Sequence, residues 1–262
     1  MWHIQQQGGV GKTTTTISLG TAAARRGLKT LLVDMDGQSS LTEYFIDLET
    51  KEAINPSMAE MLLDKRGQVR IEPVQLMENL YILPANTKLA EAELVIASYN
   101  NPQALLRQRL RLYDGEFDIC LMDSPPAIGL LTRNVLGASD FVIVPMATEE
   151  MGIRTLPQTL AQIDEIKESE VNTAIKLWGI IATMYDIREG EDRRILEILR
   201  SDYAQELYSE VLPRRTGYKK AVGNRADISD VDKDLGKYWS RLARTLFKDT
   251  LTKNRLQTKE IA

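Results

Sequence analysis

Along the chain, short runs of consecutive apolar residues alternate with longer stretches in which apolar residues recur every three or four positions. The runs fall at residues 30–34 (TLLVD), 80–84 (LYILP), 117–122 (FDICLM), 140–145 (DFVIVP), 177–184 (LWGIIATM) and 209–213 (SEVLP). Unbroken apolar character over so few residues predicts strands covered on both faces. Helical periodicity at 13–26, 103–112, 154–168, 192–203 and 235–248 separates them. Strand–helix alternation predicts an α/β fold, a doubly wound and mostly parallel sheet with helices on both faces and its ligand at the carboxyl ends of the strands. No internal repeat, low-complexity segment or Gly/Ser linker divides the chain. A single domain over residues 1–262 is expected, its tail loose from about residue 250.

Hydrophobic residues make up 43% and charged residues 27%, enough to bury a core and stay soluble. No apolar run reaches the length of a membrane span, and no secretory signal opens the sequence. The one cysteine, Cys120, excludes an internal disulfide framework and suits a reducing cytoplasm. It lies inside an apolar run and reads as a buried, inert thiol. Net charge is −4, which by itself argues against nucleic acid. The balance is uneven. Residues 1–175 hold 15 Lys and Arg against 23 Asp and Glu, and residues 176–262 hold 18 against 14. The C-terminal third is therefore net basic, either an ordinary solvated surface or a face for a polyanion.

Residues 8–14 (GGVGKTT) have the composition of a phosphate-binding loop. Gly8, Gly9, Val10 and Gly11 offer backbone amides, Lys12 reaches β and γ phosphates, and the Thr13 hydroxyl suits Mg²⁺. Thr14 opens a helix whose N-terminus faces the anion. Two departures stand out: Gln6 replaces the expected first glycine, and Gln7 directly precedes the glycine pair. Only MWHIQQ lies ahead of the loop, so the first strand is expected to be short, with Trp2 and His3 as packing or end residues.

The stretch QQGGVGKTTTTISLG resembles the deviant Walker loop (KGGVGKTT) of the ParA/MinD ATPases, P-loop NTPases that act as ATP-dependent positioning switches. Four further blocks resemble the same family in the same order: LLVDMDGQSSLT (31–42), FDICLMDSPPAIGLLTRNVLGASDFVIVP (117–145), GIIATMYDIR (179–188) and VLPR (211–214). The resemblance implies that Asp36 helps polarise the attacking water near Mg²⁺, and that Asp123 binds Mg²⁺ through water. It implies that Pro213 and Arg214 line the adenine of ATP. Asp34 reads as a residue that holds local structure.

The family's signature lysine crosses a two-fold interface to the partner's ATP, and Gln7 stands in its place. The resemblance then implies slow hydrolysis, weak dimerisation, or another cation in trans. Arg133 and Arg154 are candidates, each also readable as a surface side chain. The carboxysome-positioning McdA group lacks the same lysine, so the departure is compatible with that group.

The segment 214–225 carries Arg214, Arg215, Lys219, Lys220 and Arg225 with no acid. Arg215, Lys219, Lys220 and Arg225 resemble in place the basic region by which ParA dimers hold DNA without sequence preference. The implied protein is cytoplasmic and nucleoid-associated, a homodimer on ATP binding, released when a ParB- or McdB-like adaptor stimulates hydrolysis. Its cargo would be a plasmid, a chromosome or a carboxysome. A MinD-like membrane ATPase would need an apolar anchor, and the tail after Thr245 spreads its apolar residues among polar ones. An iron–sulfur reductase is excluded by the single cysteine. A small-molecule ligase or kinase on the same fold stays open.

Overall fold

The computed structural model describes residues 1–4 and 11–252. In chain order these form β1 (Trp2–Ile4), α1 (Lys12–Ala24), β2 (Thr30–Asp34), α2 (Ser40–Phe45), α3 (Leu48–Ala53) and α4 (Met58–Leu63). There follow β3 (Val74–Met77), β4 (Leu80–Leu83), α5 (Lys88–Ile96), α6 (Leu105–Leu110), β5 (Ile119–Asp123), α7 (Leu130–Ala138), β6 (Phe141–Ala147) and α8 (Glu150–Glu168). The chain continues through β7 (Lys176–Thr183), α9 (Gly190–Asp202), α10 (Thr216–Asn224), α11 (Ile228–Val231) and α12 (Lys233–Leu246).

The strands make one sheet in the order β3-β4-β2-β5-β1-β6-β7. All pairings are parallel except β3 with β4. The expected doubly wound, mostly parallel architecture is therefore present. Short β1 sits at its centre, registering Ile4 with both Asp123 of β5 and Ile143 of β6. The apolar runs read as doubly covered strands for a visible reason. Along fully buried β2, Leu32 packs into a core with α1 and α12, while Leu31 and Val33 face the opposite core with α4 and α5. A third core joins β6 and β7 to α8 and α9.

The run 209–213 is a correction. It is not a ladder strand: residues 206–214 lie along β7 through irregular bonds, with isolated bridges at Ile180–Leu207 and Tyr185–Pro213. Pro213 has no N–H to donate, which ends regular pairing there. Antiparallel β3 was not expected, because its residues are mostly exposed or half-buried and carry no apolar run.

α12 begins where the Asp232 carboxylate accepts the amides of Asp234 and Leu235. Its apolar face (Leu235, Trp239, Leu242 and Leu246 among others) is buried in the core shared with α1. Phe247 is also buried, and Leu251 packs against the same core, so these tail residues are used internally. Leu256 and Ile261 lie outside the described residues. No described helix is long and apolar enough to cross a membrane. Burial pushes the Cys120 thiol up to about 12, which keeps it protonated and unreactive.

Candidate active site at the carboxyl edge

β1, β2 and β5 end side by side, and the functional side chains gather at those ends. Gly11 is the N-cap of α1 at φ +89°, a left-handed conformation that favours glycine. It turns the chain so that Lys12 and Thr13 open the helix. Lys12 is only 7% exposed, an unusual depth for a lysine. Burial holds its pKa below the ordinary value, while the charges of Asp123 and Asp36 oppose that shift.

The Thr13 hydroxyl donates to Asp123 Oδ2 at 2.7 Å, and Thr16 Oγ1 lies 3.4 Å from Asp123 Oδ1. Both carboxylate oxygens of Asp123 are thus addressed from α1. Burial first, and the charge of Asp34 next, push the Asp123 carboxyl up to about 7. A second buried carboxylate stands beside it. Asp34 accepts the Thr42 amide and hydroxyl and the Asp36 amide, and burial pushes it up to about 6. Those bonds fix the turn after β2, so Asp34 has the structural part expected of it. Asp36 is half-buried and accepts the Gln38 amide at 2.9 Å.

α5 braces the two loops that flank this cluster. A side chain on Gly37 would meet the Ala90 Cβ at 3.1 Å. Glu93 accepts the Leu131 amide at 3.0 Å, at the start of α7.

Next to the phosphate end lies a mainly apolar cavity of about 250 Å³. Gly11, Thr14 and Thr15 form one wall; Thr183, Met184, Leu212, Pro213 and Tyr218 form the others. Arg214 lines it and pairs with Glu149 at 3.1 Å. Pro213 and Arg214 are therefore brought together with the helix start. Thr16, Met184 and Tyr218 were missed, since nothing in their local sequence sets them apart.

The remaining expected residues scatter. Gln7, Gly8, Gly9 and Val10 lie outside the described residues. Arg133 reaches Glu165 at 2.6 Å and Arg154 pairs with Glu150 one turn back. Lys219, Lys220 and Arg225 are exposed on or just after α10, and Lys219, with Arg215, also lines the cavity beside Thr14. Arg215 is not acid-free in space: it lies 3.5 Å from Asp232 and 3.8 Å from Asp234. Sequence reading also missed two grooves on either side of Arg26, of about 530 and 410 Å³. Arg25, Lys233, Lys237 and Arg241 line the first and Arg244 and Lys248 the second; Arg25 pairs with Asp227 and Asp230, Lys237 with Asp234 and Arg241 with Glu210. Among the described residues, no group of three His, Cys, Asp or Glu could hold a metal by itself.

The family profile described as AAA domain matches residues 3–177. The sporulation initiation inhibitor protein Soj of Bacillus subtilis is 32% identical over 223 residues, 85% of this chain and 87% of Soj. The chromosome partitioning protein ParA of Myxococcus xanthus is 33% identical over 209 residues, 80% and 73% of the two chains. Cobyrinic acid a,c-diamide synthase from Mycobacterium smegmatis, with bound ADP and magnesium, superposes with a TM-score of 0.77 at 32% identity, covering 93% of each chain. A Cyanothece McdA variant in complex with ATP gives 0.80 at 22% identity, covering 93% and 94%, a likeness of fold. With the loop, the two strand-end carboxylates and this breadth of similarity together, the chain belongs to the ParA family of P-loop ATPases.

Proposed function

We propose that this protein is an ATP-switched positioning ATPase. ATP binding joins two copies, the dimer holds nucleoid DNA without sequence preference, and an adaptor of the ParB or McdB kind triggers hydrolysis and release. The observation that carries the reading is the cavity walled by Thr14, Leu212 and Pro213, contiguous with the helix start at Gly11. It offers an apolar slot for a purine beside a cationic, hydroxyl-rich end for phosphates.

Magnesium fits the donors at that end. Thr13, Asp36 and Asp123 supply hard oxygens, and a buried carboxyl pushed up to about 7 beside another carboxylate calls for a cation. Bound there, Mg²⁺ would neutralise charge on the β and γ phosphates. Lys12 holds the same oxygens, and Asp36 orients the attacking water. The resemblance assigns the amides of Gly8, Gly9 and Val10, and an uncharged contact from Gln7, to the phosphates; all four residues lie outside the described ones.

Dimerisation is supported by exposed apolar residues on two loops and the first turn of α8 at this edge: Ile128 (41% exposed), Ile187 (69%) and Met151 (69%). Arg133 or Arg154 supplies the trans cation that Gln7 lacks, Arg154 being the more exposed of the two. DNA contact falls to Lys219, Lys220 and Arg225, with Arg215 partly neutralised, and Lys233, Arg244 and Lys248 in the grooves beside α12 extend the same basic lobe. This assigns the protein to the cytoplasm, on the nucleoid, with a plasmid, a chromosome or a carboxysome as cargo.

Light scattering with a non-hydrolysable ATP analogue tests the switch: two subunits with nucleotide and one without are expected, and a monomer throughout would remove it. A second reading, a small-molecule amide ligase, draws on the likeness to the cobyrinic acid enzyme. ATP turnover raised by duplex DNA plus adaptor supports the first reading, and turnover raised only by a carboxylic acid and an amine donor supports the second.

A further inference from the structure

We propose that His3 is a positioning residue for ATP hydrolysis, acting through Ser124 to tie the root of the phosphate loop to the root of the loop that follows Asp123. The inference rests on the ATPase reading above.

His3 is the middle residue of β1, fully buried, with β5 on one side and β6 on the other. An apolar side chain would fill such a site at no polar cost, so an imidazole there needs a partner. It has one. Nε2 lies 2.8 Å from Ser124 Oγ, and Ser124 Oγ lies 3.5 Å from the Ile4 carbonyl. Nδ1 has no partner.

These facts select a proton arrangement. If Nε2–H donates to Ser124 Oγ, the hydroxyl proton is free to donate to the Ile4 carbonyl. Nδ1 then carries only a lone pair. The opposite tautomer would bury an unpartnered N–H at Nδ1 and leave the Ile4 carbonyl without this donor. Burial favours the neutral ring, consistent with a pKa held down to about 3.

The hydroxyl therefore bridges a side chain and a carbonyl of β1. Ile4 closes β1 on the way to the phosphate loop, and Ser124 directly follows Asp123, whose carboxylate receives Thr13. When the terminal phosphate departs, the loop after such an aspartate must change partners while the aspartate stays placed. The bridge holds Ser124, the joint between those two behaviours. Its loss leaves the phosphate site intact but lets Asp123 and the following backbone wander, which lowers rate rather than affinity.

The test compares single-turnover ATP hydrolysis and equilibrium ATP·Mg²⁺ binding for the wild type, His3→Phe, Ser124→Ala, the double variant and His3→Gln. His3→Phe and Ser124→Ala are each expected to slow hydrolysis about fivefold, the size of one buried hydrogen bond, with ATP affinity within about twofold. The double variant is expected to be no slower than either single one, and His3→Gln, which keeps a donor, to recover most of the rate. Multiplicative losses of about 25-fold in the double variant would overturn the coupling. Wild-type rates in His3→Phe and Ser124→Ala would overturn the proposal outright. Should His3→Phe fail to fold, Ser124→Ala decides alone, and a wild-type rate in it would overturn the proposal. A wild type that binds ATP but never hydrolyses it, with DNA or without, would remove the ATPase reading itself.

Discussion

Positive charge is used in opposite ways in two regions of this molecule. At the carboxyl edge of the sheet, Lys12 is buried against Asp123 and Asp36, and burial rather than number gives it leverage. On the C-terminal lobe, Lys233, Arg244 and Lys248 are exposed, and none has a carboxylate within ion-pair distance among the described residues. A buried, fixed charge can recognise one phosphate group closely, because few water molecules screen it. A row of exposed charges recognises a polyanion by summation, and salt weakens it. One site should therefore respond steeply to single substitutions and little to salt, and the other the reverse.

The largest expected effect belongs to the buried end. Lys12→Ala should lower ATP affinity by about 100-fold or more, since it removes charge-assisted bonds to two phosphates. Calorimetry at low and high salt measures it, and undiminished affinity would break the contrast. Asp36→Ala should bind ATP within a few-fold of wild type yet hydrolyse it about 100-fold more slowly, the usual scale for losing one preorganised polar group. Single-turnover rates decide, and normal turnover would free Asp36 from the reaction.

The exposed end predicts a smaller and graded outcome. Removing Lys233, Arg244 and Lys248 together should reduce the salt slope of duplex binding by about one unit per lost contact. Lys219→Ala/Lys220→Ala should do the same from α10. Fluorescence anisotropy across a salt series reads both, and unchanged slopes in both variants would move the DNA surface elsewhere.

The smallest effect concerns acid stability. The ordinary histidine value is 6.5, and burial, with Lys12 adding to it, holds folded His3 at about 3. A lowered folded value means that stability is fully present above 6.5 and drains away as pH falls towards 3. His3→Gln cannot titrate, so its loss between pH 7 and pH 5 should be smaller by about 2 kcal/mol. Urea denaturation at the two pH values provides the number.

The same contrast explains what the chain disclosed before it was folded. Lys12, Thr13, Asp36 and Asp123 were legible because phosphate chemistry demands those residue types directly after a glycine turn and at strand ends. The strands β2, β5 and β6 were legible because burial on both faces leaves an unbroken apolar run. Pro213 and Arg214 came only with the family resemblance. The C-terminal lobe was legible as a charge balance and not as a surface. The segment around Arg215 has no acid in sequence, yet Asp232 and Asp234 arrive beside it through the packing of α10 against α12. The grooves beside Arg26 need α1 and α12 to meet across more than 200 residues, which no local pattern encodes. His3 and Ser124 are likewise 121 residues apart.

One helix outside both regions has a wider consequence. α5 sets Ala90 against Gly37 on one side and Glu93 beneath the start of α7 on the other. The loops after β2 and β5 thus lean on a common strut, and close packing does not let one side of a strut shift alone. The two loops should report the state of the nucleotide as a single event, so that a partner touching either one reads an all-or-none signal instead of two graded ones.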